Sequence, residues 1–327
     1  MNIREEITNK IIAAIEAGTP PWRKGWSGGE LAVNAKGVAY RGLNQLLLGM
    51  SGFTDNRWYT FRQIKMMKGL HVRKGERSTK IVRLVEVERK VAEREKDGEV
   101  VSEEQGKALV MRFYDVFNAA QIEGMAPRPE RAHTIEPVDA AEAMIEGLKR
   151  TGLSVRHGFP DASYSVIDDL IRMPDKAAFQ STESDAGDYE YWATLMHESI
   201  HSTSLRLQRM NPTSSRFGPQ DRAREELIAE IGAAMLCAEL GIGQQAGELG
   251  GLAKEHLDNH SAYIASWLTL LKQDRNEIFR ASADAQRACD YIREHAVEVA
   301  PKAPASEVPS PAPLPQPAPV RRAGMRM

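Results

Sequence analysis

The sequence predicts an α+β protein with two domains followed by a Pro-rich tail, and three observations predict it. The chain has 327 residues, which is long for one hydrophobic core. Alternating β-type segments occur in its first part, whereas long segments with helical periodicity dominate the second. From Val297 onward the composition changes to Pro, Ala and Ser, which cannot bury a core. We therefore expect a domain over residues 1–126, a linker over 127–137, a domain over 138–297 and a disordered tail over 298–327.

The first domain is predicted to contain three helices. Ile residues at helical spacing predict the first over residues 3–17, and a Gly-Thr-Pro-Pro turn ends it. The second begins at Leu43, after a loop-rich aromatic segment. The third is expected over 58–68, where Thr60 and Gln63 have the spacing of a capping box.

A β-hairpin is expected next, because two alternating apolar segments flank a highly charged one. Its strands are predicted over 78–88 and 108–118, with residues 90–105 at the tip. The second domain is predicted to contain a helix, three short β segments and four further helices. These segments are 139–151, then 155, 162–166 and 170–173, then a helix that includes 191–201, then 222–240, 256–273 and 276–295.

Composition excludes two classes of protein. Hydrophobic residues make up 42% and charged residues 27% of the chain, as in ordinary globular proteins. Arg4, Glu5 and Glu6 interrupt the N-terminus, so no signal peptide is expected, and no apolar run approaches the roughly 20 residues of a membrane span. Cys237 and Cys289 lie far apart in helical segments, and we expect buried free thiols, which suit a reducing cytoplasm.

The segment from Tyr191 to His201 contains the pattern His-Glu-x-x-His. Residues four apart lie on one face of a helix, so His197 and His201 can bind one metal ion. Glu198 lies beside them as the candidate general base acting on water at the metal. An accidental pair of histidines on a helix face is the alternative, and the intervening Glu198 favours the metal.

The third metal ligand must come from another segment, and the sequence Glu225-Glu226-Leu227-Ile228-Ala229-Glu230 is the best candidate. Glu226 is expected to bind the metal, while Glu230, one turn on, supports a ligand histidine through its other ring nitrogen. Glu225 is a fallback ligand. Tyr263 could donate to an oxyanion in catalysis, although a buried structural tyrosine is the alternative.

The first part of the chain is basic and the remainder is acidic. Residues 1–83 carry 15 Lys and Arg against 6 Asp and Glu, whereas residues 127–327 carry 22 against 29. Aromatic residues alternate with these cations, a combination that binds single-stranded nucleic acid through stacking and phosphate contacts. The alternative is that the aromatic side chains belong to the core. The candidate DNA-binding residues are Trp22, Arg23, Lys24, Trp26, Tyr40, Arg41, Asn44, Trp58, Arg73 and Lys74.

Over residues 1–297 the chain resembles ArdC-type antirestriction proteins of mobile elements, whose motifs occur in the same order. The N-terminal motifs are Pro21-Trp22-Arg23, Tyr40-Arg41-Gly42-Leu43-Asn44, Trp58-Tyr59-Thr60, Gln63, Gly69, Arg73-Lys74-Gly75-Glu76 and Val116-Phe117-Asn118 with Gln121. The C-terminal motifs are Tyr164, Asp169 with Ile171, Met173-Pro174, Phe179, Tyr191, the segment His197 to His201 and the segment Glu225 to Glu230.

The resemblance implies an N-terminal single-stranded-DNA-binding domain, similar to domains of plasmid-borne primases. It implies a C-terminal zincin-like metallopeptidase domain of the gluzincin or SprT-like type, with Glu226 as ligand and Glu230 as its supporter. The implied function is protection of incoming conjugative DNA from host restriction, with a protein of the host restriction machinery as candidate substrate. The resemblance also implies that the strand near Ile171 to Pro174 lines the substrate groove.

Two other functions stay open. In the first, the metal site is structural and the protein is a non-catalytic single-stranded-DNA-binding protein. In the second, the protein is a primase or nuclease; this ranks last because the basic half lacks a carboxylate cluster of the kind that holds two Mg²⁺ ions. Zinc is the default metal for two His and one Glu, and Mn²⁺ is another candidate.

Overall fold

The computed structural model describes residues 2–18, 20–22, 31–94, 100–128, 136–179, 186–210, 218–242 and 254–298. Residues 88–94, 100–108, 186–189 and 254–262 are described by their backbone alone. The predicted tail beyond Glu298 therefore lies outside the described residues, as do Arg23, Lys24 and Trp26.

In the N-terminal part, the described residues form three helices, a four-stranded sheet and a two-stranded ribbon. In chain order these elements are α1 (Ile3–Glu16), β1 (Val33–Asn34), α2 (Leu43–Gly49), β2 (Arg57–Thr60), α3 (Phe61–Met66), β3 (His71–Val72), β4 (Thr79–Arg94), β5 (Val100–Asn118) and β6 (Ile122–Glu123). The sheet has the order β1-β2-β5-β4, and β3 pairs with β6. Only the β1–β2 pair of the described sheet is parallel.

Two predictions for this part are wrong at their boundaries. Trp58 and Tyr59, expected in a helix, lie in β2 because they pair with Asn118 and Phe117 of β5. The predicted capping box on Thr60 is present and begins α3 one residue later. The hairpin strands also extend through most of the charged stretch expected to be its tip, since Arg94 pairs with Val100; backbone pairing does not require apolar side chains.

The C-terminal part places a small sheet beside a group of packed helices. Its elements are α4 (Pro137–Arg150), β7 (Ser154–Arg156), β8 (Ser163–Ser165), β9 (Leu170–Arg172), α5 (Ala186–Arg206), α6 (Pro219–Leu240), α7 (Lys254–Gln273) and α8 (Glu277–His295). The sheet order is β7-β9-β8, with β9 parallel to β7 and antiparallel to β8. The predicted α+β class is confirmed.

One apolar core connects the two parts, because α1 packs against α7 and α2 packs against α8. Polar contacts reinforce this junction: the Thr8 hydroxyl donates to the Arg275 carbonyl at 2.8 Å, and the Gly42 backbone N–H donates to Gln286 at 2.7 Å. The exact domain boundaries stay predictions.

Two further predictions concern the two cysteines and a possible membrane span. Cys237 and Cys289 are both free and buried, as predicted, and burial raises the pKa of the Cys237 thiol to about 12. None of the helices in the described ranges is long and apolar enough to cross a bilayer.

Candidate metal centre and nucleic-acid interface

The candidate metal centre lies between α5 and α6. His197 and His201 stand one turn apart on α5, and Glu226 reaches them from α6. Gly232 on α6 allows these two helices to approach closely, because a Cβ at this position would lie 2.7 Å from Ile200 Cδ1. A tight helix contact therefore holds the polar side chains of both helices against each other.

Three side-chain atoms converge at this contact. The Nε2 atoms of His197 and His201 are 3.1 Å apart, and Glu226 Oε2 lies 3.4 Å from the first and 3.6 Å from the second. Ligand atoms about 2.0–2.1 Å from a tetrahedral zinc ion are about 3.3 Å from one another. The three side chains thus fit three corners of one tetrahedral site and leave the fourth for water or substrate.

Each histidine also has a carboxylate at its other ring nitrogen. His197 Nδ1 lies 3.7 Å from Glu230 Oε1, and His201 Nδ1 lies 3.4 Å from Glu225 Oε1. Such carboxylates fix the ring orientation and tautomer of a metal-bound histidine. Glu225, expected as a fallback ligand, is therefore on the far side of His201 from Glu226, where it can orient the ring but not share its metal.

Sequence reasoning missed Arg209, which holds Glu225 in place. Its guanidinium donates to both Glu225 oxygens, at 2.8 and 3.1 Å, and to the Ile200 carbonyl at 2.9 Å. Gln208 has a positive φ of 56° and turns the chain after α5, which brings Arg209 back against that helix. A single Arg after a helix has no pattern that distinguishes it from a surface residue.

The charges at the centre suit a divalent cation. The carboxylates of Glu198, Glu225, Glu226 and Glu230 outnumber the single guanidinium of Arg209. Burial lowers the pKa of His197 and His201, but hydrogen bonds to Glu226 and Glu225 and the nearby negative charges outweigh it and raise the pKa of both. Burial raises the pKa of Glu225, but hydrogen bonds from His201 and Arg209 outweigh the burial and lower this pKa to about 2. The carboxylate therefore stays ionised beside the histidine at neutral pH.

Glu198 is 6% exposed and faces the same region. Burial raises the pKa of its carboxyl, which the charges of His197 and His201 partly oppose. The backbone N–H of Tyr164 in β8 donates a hydrogen bond to this carboxylate. A buried carboxylate with a raised pKa is suited to general-base chemistry near neutral pH.

The structure corrects which strand borders the candidate centre. β9, expected to line a substrate groove near Ile171, is the central strand of its sheet, and Ile171 and Met173 are fully buried. β8 is an edge strand, and its Tyr164 contacts Glu198. The bordering strand is therefore β8, because both edges of β9 are already paired.

Tyr263 lies at the rim of the centre. Burial raises the pKa of its hydroxyl, and a hydrogen bond with Glu226 contributes to the same shift, so the hydroxyl stays protonated at neutral pH. The ring stacks on Trp267, with centroids 6.3 Å apart, and Trp267 meets Trp22 edge to face at 5.4 Å. Trp22, from the N-terminal part, thus packs behind a residue of the metal centre.

Of the aromatic residues predicted to stack on DNA, the three that the structure describes are mostly internal. Trp58 is fully buried and Trp22 is 5% exposed, so neither presents a ring face to a base. Tyr40 packs against the cluster around Trp58, and burial raises the pKa of its hydroxyl to about 12. The alternative interpretation of these residues, as core side chains, is correct for Trp22 and Trp58.

The side chains predicted to make polar contacts with DNA differ in how far they are held by interactions within the protein. Arg41 pairs with Asp290, and the Asn44 side chain exchanges two 2.8 Å hydrogen bonds with the Val82 backbone. Arg73 pairs with Glu76 at 2.8 Å and is half exposed, and Lys74 is exposed. Asn44 is therefore a structural contact, whereas Arg41, Arg73 and Lys74 remain accessible.

Two family models match the chain, one for each part. The N-terminal domain of anti-restriction factor ArdC matches residues 1–117, and a zincin-like metallopeptidase model matches residues 139–284. The predicted metal-ligand segments of α5 and α6 lie inside the second match.

Similar proteins cover both parts. Two Escherichia coli proteins named DNA primase TraC are each 33% identical over 88% of this chain, which spans 27% and 20% of their length. The uncharacterized protein y4eC of Sinorhizobium fredii is 33% identical over 89% of this chain and 91% of its own. Crystal structures of the antirestriction protein ArdC from plasmid R388, metal-free and Mn(II)-bound, are 34% identical over 90% of this chain and 98% of theirs, with TM-scores of 0.69 and 0.66. The chain belongs to the ArdC family of antirestriction proteins.

Proposed function

We propose that this protein binds single-stranded DNA and holds one divalent metal ion, zinc or manganese, at His197, His201 and Glu226. The observation that carries the metal site is the tetrahedral spacing of the three ligand atoms. We further propose that the protein protects incoming DNA of a conjugative element from host restriction. The family relationship and the antirestriction activity named for the R388 protein support this role.

The proposed chemistry is hydrolysis of a peptide bond in a protein of the host restriction machinery. A bound divalent ion supplies Lewis-acid activation at the site. Glu198 accepts a proton from the attacking water and returns it to the leaving amine. The Tyr263 hydroxyl donates a hydrogen bond to the oxyanion that develops at the carbonyl. Glu225 and Glu230 keep the two histidine rings in their orientations.

The proposed DNA binding rests on charge and on family. Residues 1–83 carry 15 Lys and Arg against 6 Asp and Glu, a balance that attracts a polyanion. The N-terminal family model and the primases named among the relatives agree with a nucleic-acid ligand. We expect binding to single strands over duplex, with an affinity that falls steeply as salt rises.

Glu198→Gln tests the peptidase role. We expect the variant to keep its metal, because Glu198 is not a ligand, and to lose peptide cleavage by about 10²- to 10⁴-fold. Metal content is measured by elemental analysis, and cleavage by a protein-substrate screen with and without single-stranded DNA. Protection is measured in matings with a restricting host. If Glu198→Gln protects as well as the parent protein, protection does not need hydrolysis; if the variant keeps every activity of the parent protein, the metal site is structural.

A further inference from the structure

Two accessible aromatic rings meet on the N-terminal part, away from the buried tryptophans. Phe61, the first residue of α3, is 49% exposed, and Phe117 of β5 is half-buried. Their ring centroids are 6.2 Å apart and their planes are inclined at 51°. The pair presents an aromatic surface to solvent, which neither Trp22 nor Trp58 does.

An ordered backbone holds both rings. Thr60 and Gln63 form a reciprocal capping box around Phe61, with the Thr60 N–H donating to Gln63 Oε1 at 2.8 Å. Phe117 is paired with Tyr59 in the sheet and packs against the core cluster that contains Tyr59 and Ile64. The aromatic surface is therefore preorganised, which lowers the entropy cost of binding a ligand.

One cation lies over this surface, and others are close to Phe61 in the chain. Lys65 Nζ lies over the Phe61 ring, 4.9 Å from its centroid. Arg62 and Lys68 are exposed, and neither forms an ion pair within the part of the chain that the structure describes. From Arg57 to Gly75 the sequence contains six Lys and Arg residues and no Asp or Glu. The local charge therefore favours a polyanionic ligand over a ligand that carries charges of both signs.

We propose that Phe61, supported by Phe117, is a stacking platform for a base of single-stranded DNA, and that Arg62, Lys65 and Lys68 contact the phosphates beside it. This assignment rests on the proposed single-strand binding and names its contact surface. Aromatic rings accept any base because every base has a π-face, and cations follow the backbone. When a base covers Phe61, the flexible Lys65 stem lets its ammonium move from the ring to a phosphate.

The same strand offers an internal comparison. Tyr114 is 39% exposed, but it is three positions from Phe117 in β5 and therefore points to the opposite face of the sheet. Met66 is 78% exposed on α3 itself and has no aromatic ring. Tyr114→Ala and Met66→Ala thus serve as matched controls for an aromatic on the other face and for an apolar side chain of the same helix.

The test measures binding of a fluorescein-labelled oligothymidylate to the full chain by anisotropy. Phe61→Ala is expected to weaken binding about 5- to 150-fold, and Phe61→Leu by nearly as much, because leucine keeps bulk but not the π-face. Phe61→Tyr should bind as the parent protein does. Lys65→Met should reduce the slope of log affinity against log salt by about 0.7. Thermal unfolding confirms that the half-exposed site tolerates each change.

The possible outcomes distinguish a failure of the stacking platform from a failure of the proposed single-strand binding. If the parent protein does not bind the oligonucleotide, the proposed single-strand binding fails. If it binds, and Phe61→Ala and Phe61→Leu bind equally well, the platform is wrong while single-strand binding stands. A loss in Tyr114→Ala with no loss in Phe61→Ala also overturns the platform, because it moves the DNA to the opposite face of β5.

Discussion

The metal centre and the N-terminal sheet arrange their polar and apolar groups in opposite ways. Between α5 and α6, ionisable groups face inward, and Glu198, Glu225 and Glu230 are only 6%, 5% and 4% exposed. In the sheet, aromatic groups such as Trp58 face inward, and the described cations are largely exposed except Arg57, which pairs with Asp55. Burying charge is costly unless each group is paired. The first region therefore has a closed site of mutually held residues, whereas the second can act only through its surface.

The largest expected effect breaks the inward-facing site. His201→Ala removes one of three ligands, and we expect the protein to lose its stoichiometric metal after dialysis against metal-free buffer. Elemental analysis measures the loss. His71→Ala, which removes an exposed histidine of the N-terminal ribbon, should leave metal content unchanged. Full occupancy in the His201→Ala variant would place the metal elsewhere.

The second prediction concerns the inward-facing aromatics. Trp58→Ala removes a fully buried ring and is expected to lower the free energy of unfolding by about 3–5 kcal/mol. Urea denaturation measures this change. If Trp58 instead touches DNA, the variant will keep its stability and lose affinity for single strands, and the contrast between the two regions will fail.

The sequence predicts the metal centre and the N-terminal sheet to different extents, and the contrast between the two regions explains why. His197 and His201 could be assigned because one turn of one helix supplies both ligands, and Glu226 and Glu230 because they repeat the same spacing on α6. Arg209 and the far-side position of Glu225 depend on how the two helices pack, which spacing does not encode. Arg57-Trp58-Tyr59-Thr60 is ambiguous for another reason. In the strand, both Trp58 and Tyr59 are buried, yet an Arg beside two aromatic residues equally fits a stacking surface.

The third prediction sharpens the role of the supporting carboxylates. Glu230→Ala removes the group beside His197 Nδ1, and we expect metal affinity to fall about 10- to 100-fold. Calorimetric metal titration measures it. Glu239→Gln is the matched control on the same helix, since Glu239 pairs with Arg293 at 3.0 Å instead. Equal losses in both variants would indicate a general effect of α6 charge.

The smallest expected effect concerns the ion pair between Asp55 and Arg57, a cation of the N-terminal sheet. The Arg57 guanidinium donates two hydrogen bonds to Asp55, at 2.8 and 3.0 Å, and both side chains are mostly buried. Burial raises the pKa of Asp55, but the hydrogen bonds and charge of Arg57 outweigh it and lower that pKa. Asp55→Asn should therefore cost about 1–3 kcal/mol of unfolding free energy at neutral pH.

The direction of the Asp55 pKa shift determines how the stability change in Asp55→Asn depends on pH. Because the folded pKa of Asp55 is depressed, its stabilisation is present above the unfolded pKa and is lost as the pH falls through the folded value. The difference between the parent protein and Asp55→Asn should thus be complete well above the unfolded pKa of about 3.9 and should shrink as the pH falls below it. Urea unfolding at neutral pH and over a series of acidic pH values measures this difference in stability. A difference that does not shrink in acid would argue against the ion pair.

Anomalous diffraction from zinc-loaded crystals tests most directly whether His197, His201 and Glu226 hold one divalent metal ion. We expect a single strong peak between α5 and α6, about 2.0–2.2 Å from the two Nε2 atoms and a Glu226 oxygen. A peak ligated by Glu225 in place of Glu226, or no peak between the helices, would contradict it.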